Sequence, residues 1–275
     1  MRIPGFNAFF SGILRADDGP DFVLLQEVAH PVTCPGYTFS FVPRLRRPNA
    51  RGPTGGGVAT SIRADMSMSF EMITAVVPPT DVEHCGVMIS LPDGSRFVVV
   101  NVYVPPASPF GSSMGMVLQS ICCAYKADVV SGDFNARHGL WDDHPSFADE
   151  AARRGDALCE WCEDSGFSIV NEVGTTFFAA QGTSSPDIAF SAPGVHSWDW
   201  TVEGLTYGSD HRPIGFTVAK TPRALPMAVA VPLKRSLFYK WSACNWEKWS
   251  AAVDSLLLSL IHISEPTRLR RISYA

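Results

Sequence analysis

The stretch Val129-Val130-Ser131-Gly132-Asp133-Phe134-Asn135 runs from a β-branched apolar start into an acidic, asparagine-bearing end. A strand that stops on such a cluster offers carboxylate and amide groups at the end of a sheet. The same junction recurs three times. Gln26-Glu27 follows the apolar run Phe22–Leu25, Pro186-Asp187 precedes Ile188–Phe190, and Ser209-Asp210-His211 precedes Ile214–Val218. Two clusters follow their strands and two precede theirs. Antiparallel neighbours set the end of one strand beside the start of the next, so all four can gather on one rim of a sheet sandwich.

Outward from these junctions the short apolar runs continue. Val58–Ile62, Val87–Leu91, Phe97–Val104 and Phe167–Val170 read as further strands. Asp93-Gly94, between two of them, marks a tight hairpin turn. Helical patterns cover Met114–Ala124 and Ala148–Ser165, the second closed by Gly166. Strands outnumber helices, and hairpins alternate with longer crossovers. The pattern predicts an α/β fold of mixed β-sheets, two of them packed face to face.

Composition bounds the function. With 46% of 275 residues hydrophobic and 18% charged, the chain is neither a disordered tail nor a collagen-like or coiled-coil rod. No apolar run reaches the roughly 18 residues of a bilayer span. Met1–Asn7 has no signal-peptide pattern, so an intracellular protein without a membrane partner is expected. Seven cysteines, an odd number, point to a reducing compartment rather than a disulfide framework. Cys159 and Cys162 lack a second pair to complete a zinc tetrad and lie inside Ala151–Ser165, where Leu158, Trp161 and Cys162 recur at helical spacing, which reads as core packing.

Residues 1–219 read as one domain. Pro222, Pro226 and Pro232 then mark a linker leading to an amphipathic helix, which Asn245 caps and which ends by residue 258. Trp246, Trp249, Val253, Leu256 and Leu257 line one face of it. Ser259–Arg268, SLIHISEPTR, resembles the translation of a sequencing-library adapter, so residues 259–275 are set aside from functional reasoning.

The rim clusters offer a specific chemistry. Three aspartates and a glutamate with a histidine and an asparagine make a hard-oxygen environment. Magnesium takes one or two carboxylates and keeps several waters, which leaves other carboxylates free for proton transfer. An imidazole beside an acidic partner is held in one tautomer and can donate to a phosphate oxygen. Together these groups suit hydrolysis of a phosphodiester by an activated water. Each piece alone has a plainer reading: Glu27 as a solvated strand end, Asp187 as a turn residue after Pro186, His211 as a hydrogen-bonded surface histidine. The ordered set carries the inference.

With Asn101-Val102-Tyr103 and Ser184-Ser185-Pro186-Asp187 added, the motifs occur in the order seen in the endonuclease/exonuclease/phosphatase superfamily, which the chain resembles over about Phe22–Val218. The stretch Asp133–Trp141 (DFNARHGLW), the Leu158–Trp161 helix and Ser184–Asp187 are most similar to the apurinic-endonuclease-like endonuclease domains of non-LTR retrotransposons of the kinetoplastid type. The resemblance implies two mixed sheets packed face to face and flanked by helices, a four-layer, deoxyribonuclease-like sandwich. It implies that Glu27 ligates Mg²⁺ (or Mn²⁺), with Asp210 close enough to assist. Asp133 would deprotonate the attacking water, and Asn135 would fix Asp133 and the substrate. His211 would bind the scissile phosphate with Asp187 aligning the imidazole, and Tyr103 would reach the phosphate or the water on the metal. Ser209 either hydrogen-bonds near the phosphate or forms a turn.

One position departs from the family. Its members carry an asparagine on the first strand, near the metal, and Asn7 is the candidate here. The interval from Asn7 to Glu27 is short for a helix and two connections, so either the helix is shortened or the true start lies upstream. Gly55-Gly56-Gly57 lacks the following Lys-Ser/Thr of a phosphate loop. Arg44, Arg46, Arg47 and Arg51 form a basic loop, either solvated or touching a DNA backbone through Arg47 and Arg51. A net charge of −5 does not exclude DNA, since local patches set the field.

The function expected is a metal-dependent endonuclease that nicks target DNA; the resemblance alone implies that it works in the nucleus and leaves a 3′-hydroxyl to prime reverse transcription. No Tyr/Phe-x-Asp-Asp run occurs, so a reverse-transcriptase partner would lie downstream in the same polyprotein, absent from this chain. The alternatives are a phosphatase or sphingomyelinase-type phosphoesterase, or a catalytically dead nucleic-acid-binding fragment.

Overall fold

A computed structural model of the chain describes residues 19–29, 31–44, 56–64, 69–73, 75, 77, 81–90, 94–143, 149–180 and 182–220. Asn7, Arg47, Arg51, the linker and helix expected up to residue 258, and residues 259–275 lie outside the described residues. By its contacts the chain divides into Met1–Arg223 and Ala224–Ala275, and every described residue falls in the first unit.

Three strands make a small antiparallel sheet: β1 (Phe22–Leu25), β2 (Tyr37–Pro43) and β3 (Gly57–Arg63), in the order β1-β3-β2. The chain then runs through β4 (Ser69–Ile73), β5 (Glu83–Ser90), β6 (Arg96–Tyr103), helix α1 (Met114–Tyr125), β7 (Val129–Asp133), helix α2 (Glu150–Ser165) and β8 (Ser168–Ile169). A short hairpin of β9 (Phe177–Ala179) and β10 (Gly182–Ser184) leads to β11 (Asp187–Ser191). A final pair follows, β12 (Val195–Val202) and β13 (Ile214–Lys220). The large sheet has the order β4-β5-β6-β7-β11-β8, and within it only β6 and β7 run parallel, joined by the crossover through α1.

Strand β6 shows why the sheets stack. Its side chains alternate between faces. Val98, Val100 and Val102 pack with Leu118 and Ile121 of α1 and Leu158 and Trp161 of α2. Phe97 and Val99 pack the other way, with Ile62 of β3 and Phe22 and Leu24 of β1. A strand buried on both faces has to be apolar on both, which explains the unbroken run Phe97–Val100. The described residues thus form helix, sheet and sheet layers. Both described α-helices lie on one face of the large sheet, and a fourth layer, as expected of the sandwich, is not seen among the described residues.

Helix α2 begins where the Asp149 side chain accepts a hydrogen bond from Ala152 N at 2.9 Å. It ends on Gly166, at φ 75°, as expected. Cys162 is buried in the helix–sheet core and Cys159 packs against it; both are free thiols, pushed up to about 12 chiefly by burial.

One polar residue ties the two sheets together. Asn101 points from β6 toward the small sheet and is fully buried. Its Nδ2 donates to Leu25 O at 3.1 Å and to Ala59 O at 3.0 Å, while its Oδ1 accepts from Gln26 Nε2 at 2.7 Å. This clamp fixes the end of β1 two residues before Glu27. Asn101→Leu should lower unfolding stability by about 2–4 kcal/mol, because two buried carbonyls lose their donor. A urea titration checks it; a loss below about 0.5 kcal/mol, as at an ordinary surface site, would show that the clamp is not needed.

Candidate active site

The register of three central strands builds the site. Tyr103 on β6 stands opposite Asp133 on β7, and Asp133 stands opposite Asp187 on β11. Ladder partners share a face, so a phenol and two carboxylates form one transverse row. Asp133 closes β7 with its backbone oxygen accepting from Val104 N at 2.8 Å. Gly132 just before it has no room for a side chain: a Cβ there would run into the Val102 carbonyl. Beyond it, Asn135 adopts the left-handed φ of 46° that asparagine tolerates. Its backbone N–H returns to Asp133 Oδ1 at 2.9 Å, and its Nδ2 donates to Asp133 Oδ2 at 3.3 Å and to Val104 O at 2.9 Å. Asn135 therefore reaches both carboxylate oxygens of Asp133.

Asp133 and Asp187 are both buried. Burial first, and then the neighbouring charge of Asp187, push the Asp133 carboxyl up to about 7, against the pull of His211 and the Asn135 N–H. His211 supplies the answering charge. Its Nδ1 lies 2.8 Å from Asp187 Oδ2, and its ring rests 4.9 Å from that of Phe177. Burial opposes protonation of this imidazole. The Asp187 hydrogen bond and the charges of Asp187, Asp133 and Asp210 outweigh it and hold the ring at about 9. Near neutral pH the ring is an imidazolium, with Nδ1–H on Asp187 and a second N–H to offer.

Thr176, which the sequence reading missed, donates its hydroxyl to the same Asp187 oxygen at 2.5 Å. Its carbonyl accepts from Arg212 N at 2.7 Å, beside His211. A threonine ahead of two phenylalanines carries no motif, so only the fold could reveal it.

Glu27 reaches the row from the other sheet. It sits just past β1 at a left-handed φ of 53°, a strained conformation for glutamate. The Tyr103 hydroxyl donates to its Oε1, and Arg44 Nη2 lies 3.9 Å from the same oxygen. The Tyr103 phenol is raised by burial and by Glu27, so it stays a donor. Asp210 is exposed; its backbone oxygen accepts from Phe178 N, and the Ser209 hydroxyl lies 3.5 Å from its carboxylate. Ser209 also accepts from His211 N at 3.1 Å, the geometry of a turn-forming serine.

The structure thus brings together Glu27, Tyr103, Asp133, Asn135, Asp187 and His211, with Asp210 next to His211 at the edge. Among the described residues, no three His, Cys, Asp or Glu side chains converge tightly enough to chelate a metal unaided. An exposed glutamate carboxylate with a second carboxylate's field nearby nonetheless suits magnesium, which needs few protein oxygens and keeps its waters.

Residues 97–215, under half of the chain, match the family model described as endonuclease-reverse transcriptase. A sequence comparison with curated proteins gives no match. Among solved structures, the fold is similar to the endonuclease domain of TRAS1, a telomere-specific non-LTR retrotransposon. Identity is 19% over 79% of this chain and 93% of that one, with a TM-score of 0.56. It is also similar to an endonuclease/exonuclease/phosphatase from Bacteroides vulgatus, at 15% identity over 80% of this chain and 90% of that one, TM-score 0.53. A third, from Beutenbergia cavernae, shares 14% identity over 80% of this chain and 66% of its own, TM-score 0.52. Residues 97–215 thus resemble the endonuclease-reverse transcriptase family, and the chain shares the fold of these endonuclease/exonuclease/phosphatase structures.

Proposed function

We propose that this phosphoesterase domain hydrolyses a phosphodiester of DNA, nicking a target site so that the freed 3′-hydroxyl primes a reverse transcriptase of the same polyprotein. The observation that carries the reading is the Asp187–His211 pair at 2.8 Å, set beside the buried Asp133. The imidazolium donates its free N–H to a nonbridging phosphate oxygen, where negative charge builds in the transition state. Asp187 and Thr176 hold the ring in that orientation. Asp133, near 7, accepts the proton of the attacking water, and Asn135 keeps its carboxylate in plane with the incoming oxygen. Tyr103 steadies Glu27 through its hydroxyl. A divalent cation such as Mg²⁺, held through Glu27 with Asp210 nearby, would supply positive charge to the phosphoryl oxygens. The pairing of endonuclease with reverse transcriptase in the matched family supports the priming role.

The purified protein should relax supercoiled plasmid with Mg²⁺ or Mn²⁺ and fail to do so with EDTA. Asp133→Ala and His211→Ala should each cut the nicking rate by about a thousandfold or more. Undiminished relaxation by either variant would refute the assignment. Turnover of inositol phosphates or sphingomyelin without nicking would select the small-ester reading instead.

The buried base also has a thermodynamic signature. Because the folded value of Asp133, about 7, exceeds its ordinary 3.8, ionising it costs folding free energy. That cost is absent below about pH 4 and grows as pH rises through about 7. Asp133→Asn escapes it. Relative to the parent, this variant should gain up to about 4 kcal/mol between pH 4 and pH 8 in denaturant titrations while losing activity. A stability difference that does not change with pH would rule out the buried charge as its cause.

A further inference from the structure

At the Glu27 end of the rim stands a positive charge that the hydrolytic row does not use. Arg44 follows β2 directly, and its backbone N–H donates to Gly56 O at 3.0 Å. Its guanidinium rests in a seat with three walls. Glu83, opposite Tyr103 in the β5–β6 ladder, accepts from Nε. The Tyr103 ring lies 5.2 Å from Cζ. Gly56 leaves open the space in which a Cβ would stand 2.6 Å from Cζ. From this seat Nη2 comes within 3.9 Å of Glu27 Oε1, close enough for charge attraction but too far for a hydrogen bond.

Glu83 is the second, independent sign that a cation belongs here. Its side chain is only 10% exposed, and its Oε2 is buried with no hydrogen-bond partner among the described residues. Two carboxylates thus share one guanidinium, which is hydrogen-bonded to the inner one and merely near the outer one. A dication drawn to Glu27 meets Arg44 already there, and like charges at such separations repel by an amount that matters even near a protein surface.

We propose that Arg44, anchored on Glu83, is the resident counter-ion of Glu27 and sets how tightly a divalent cation binds at that carboxylate. The inference rests on the reading of Glu27 as the cation's ligand. Arg44 and Glu83 are positioning residues in this scheme: they act through Glu27 and touch no reacting atom. Coupling between the two cations is reciprocal, so whatever strengthens the hold of Arg44 on Glu27 weakens the dication by the same factor.

The test needs no turnover. Mn²⁺ is titrated alone into the full-length protein and free Mn²⁺ is read by electron paramagnetic resonance. Arg44→Gln should bind Mn²⁺ about three- to tenfold more tightly than the parent. Glu83→Gln, which frees the guanidinium to move fully onto Glu27, should bind it more weakly by a similar factor. Equal or weaker binding by Arg44→Gln overturns the proposal while leaving Glu27 as the ligand. Should that variant fail to fold, unchanged or tighter binding by Glu83→Gln overturns it. A parent that binds no Mn²⁺ at millimolar concentration removes the cation role of Glu27 itself, and this inference with it.

Discussion

Two carboxylates buried side by side need a positive neighbour, and the architecture of the rim follows from that need. Asp133 and Asp187 face each other across the β7–β11 ladder because strand register puts them there. Their mutual repulsion is relieved from two directions. His211 is drawn into its charged form against Asp187, and the proton affinity of Asp133 climbs to about 7. The two chemically equal groups thereby come to differ: one is held by an imidazole, the other is raised toward neutrality.

Among the elements legible in the sequence, β6, β7 and β11 stand out because their side chains are buried on both faces. β6, β7 and β11 carry apolar runs because they sit between helices and the small sheet, and their boundaries fall close to those expected. β2, β4 and β12 escaped notice for the opposite reason. Tyr37–Pro43, Ser69–Ile73 and Val195–Val202 are largely half-buried or exposed edge strands, and polar residues interrupt their apolar content. Phe167–Val170 shortens to Ser168–Ile169, the two residues in register with Ser191 and Phe190 of β11.

The site divides in the same way. Residues in motifs at strand ends, from Glu27 to His211, were visible because acidic clusters beside apolar runs are conspicuous. Thr176 and the Glu83–Arg44 pair were not, since a hydroxyl in a loop and a glutamate opening a strand look like thousands of solvated residues. Asn101 stood in a quoted motif, yet its work as the bridge between sheets appears only when its side chain is seen to reach the carbonyls of Leu25 and Ala59. Backbone strain marks the same place: Glu27 and Asn135 both adopt left-handed conformations, one on each sheet, where the chain turns sharply to aim its side chain at the row.

The transverse row has a further implication for how this polypeptide comes alive. Alternation along a strand is strict, so a slip of a single residue between β7 and β11 would send Asp187 to the helix-packed side and strand Asp133 without its histidine. Half-assembled or misthreaded molecules therefore possess no weakened version of the chemistry, only its absence. The row of Tyr103, Asp133 and Asp187 therefore exists only once the sheet has closed in its proper alignment.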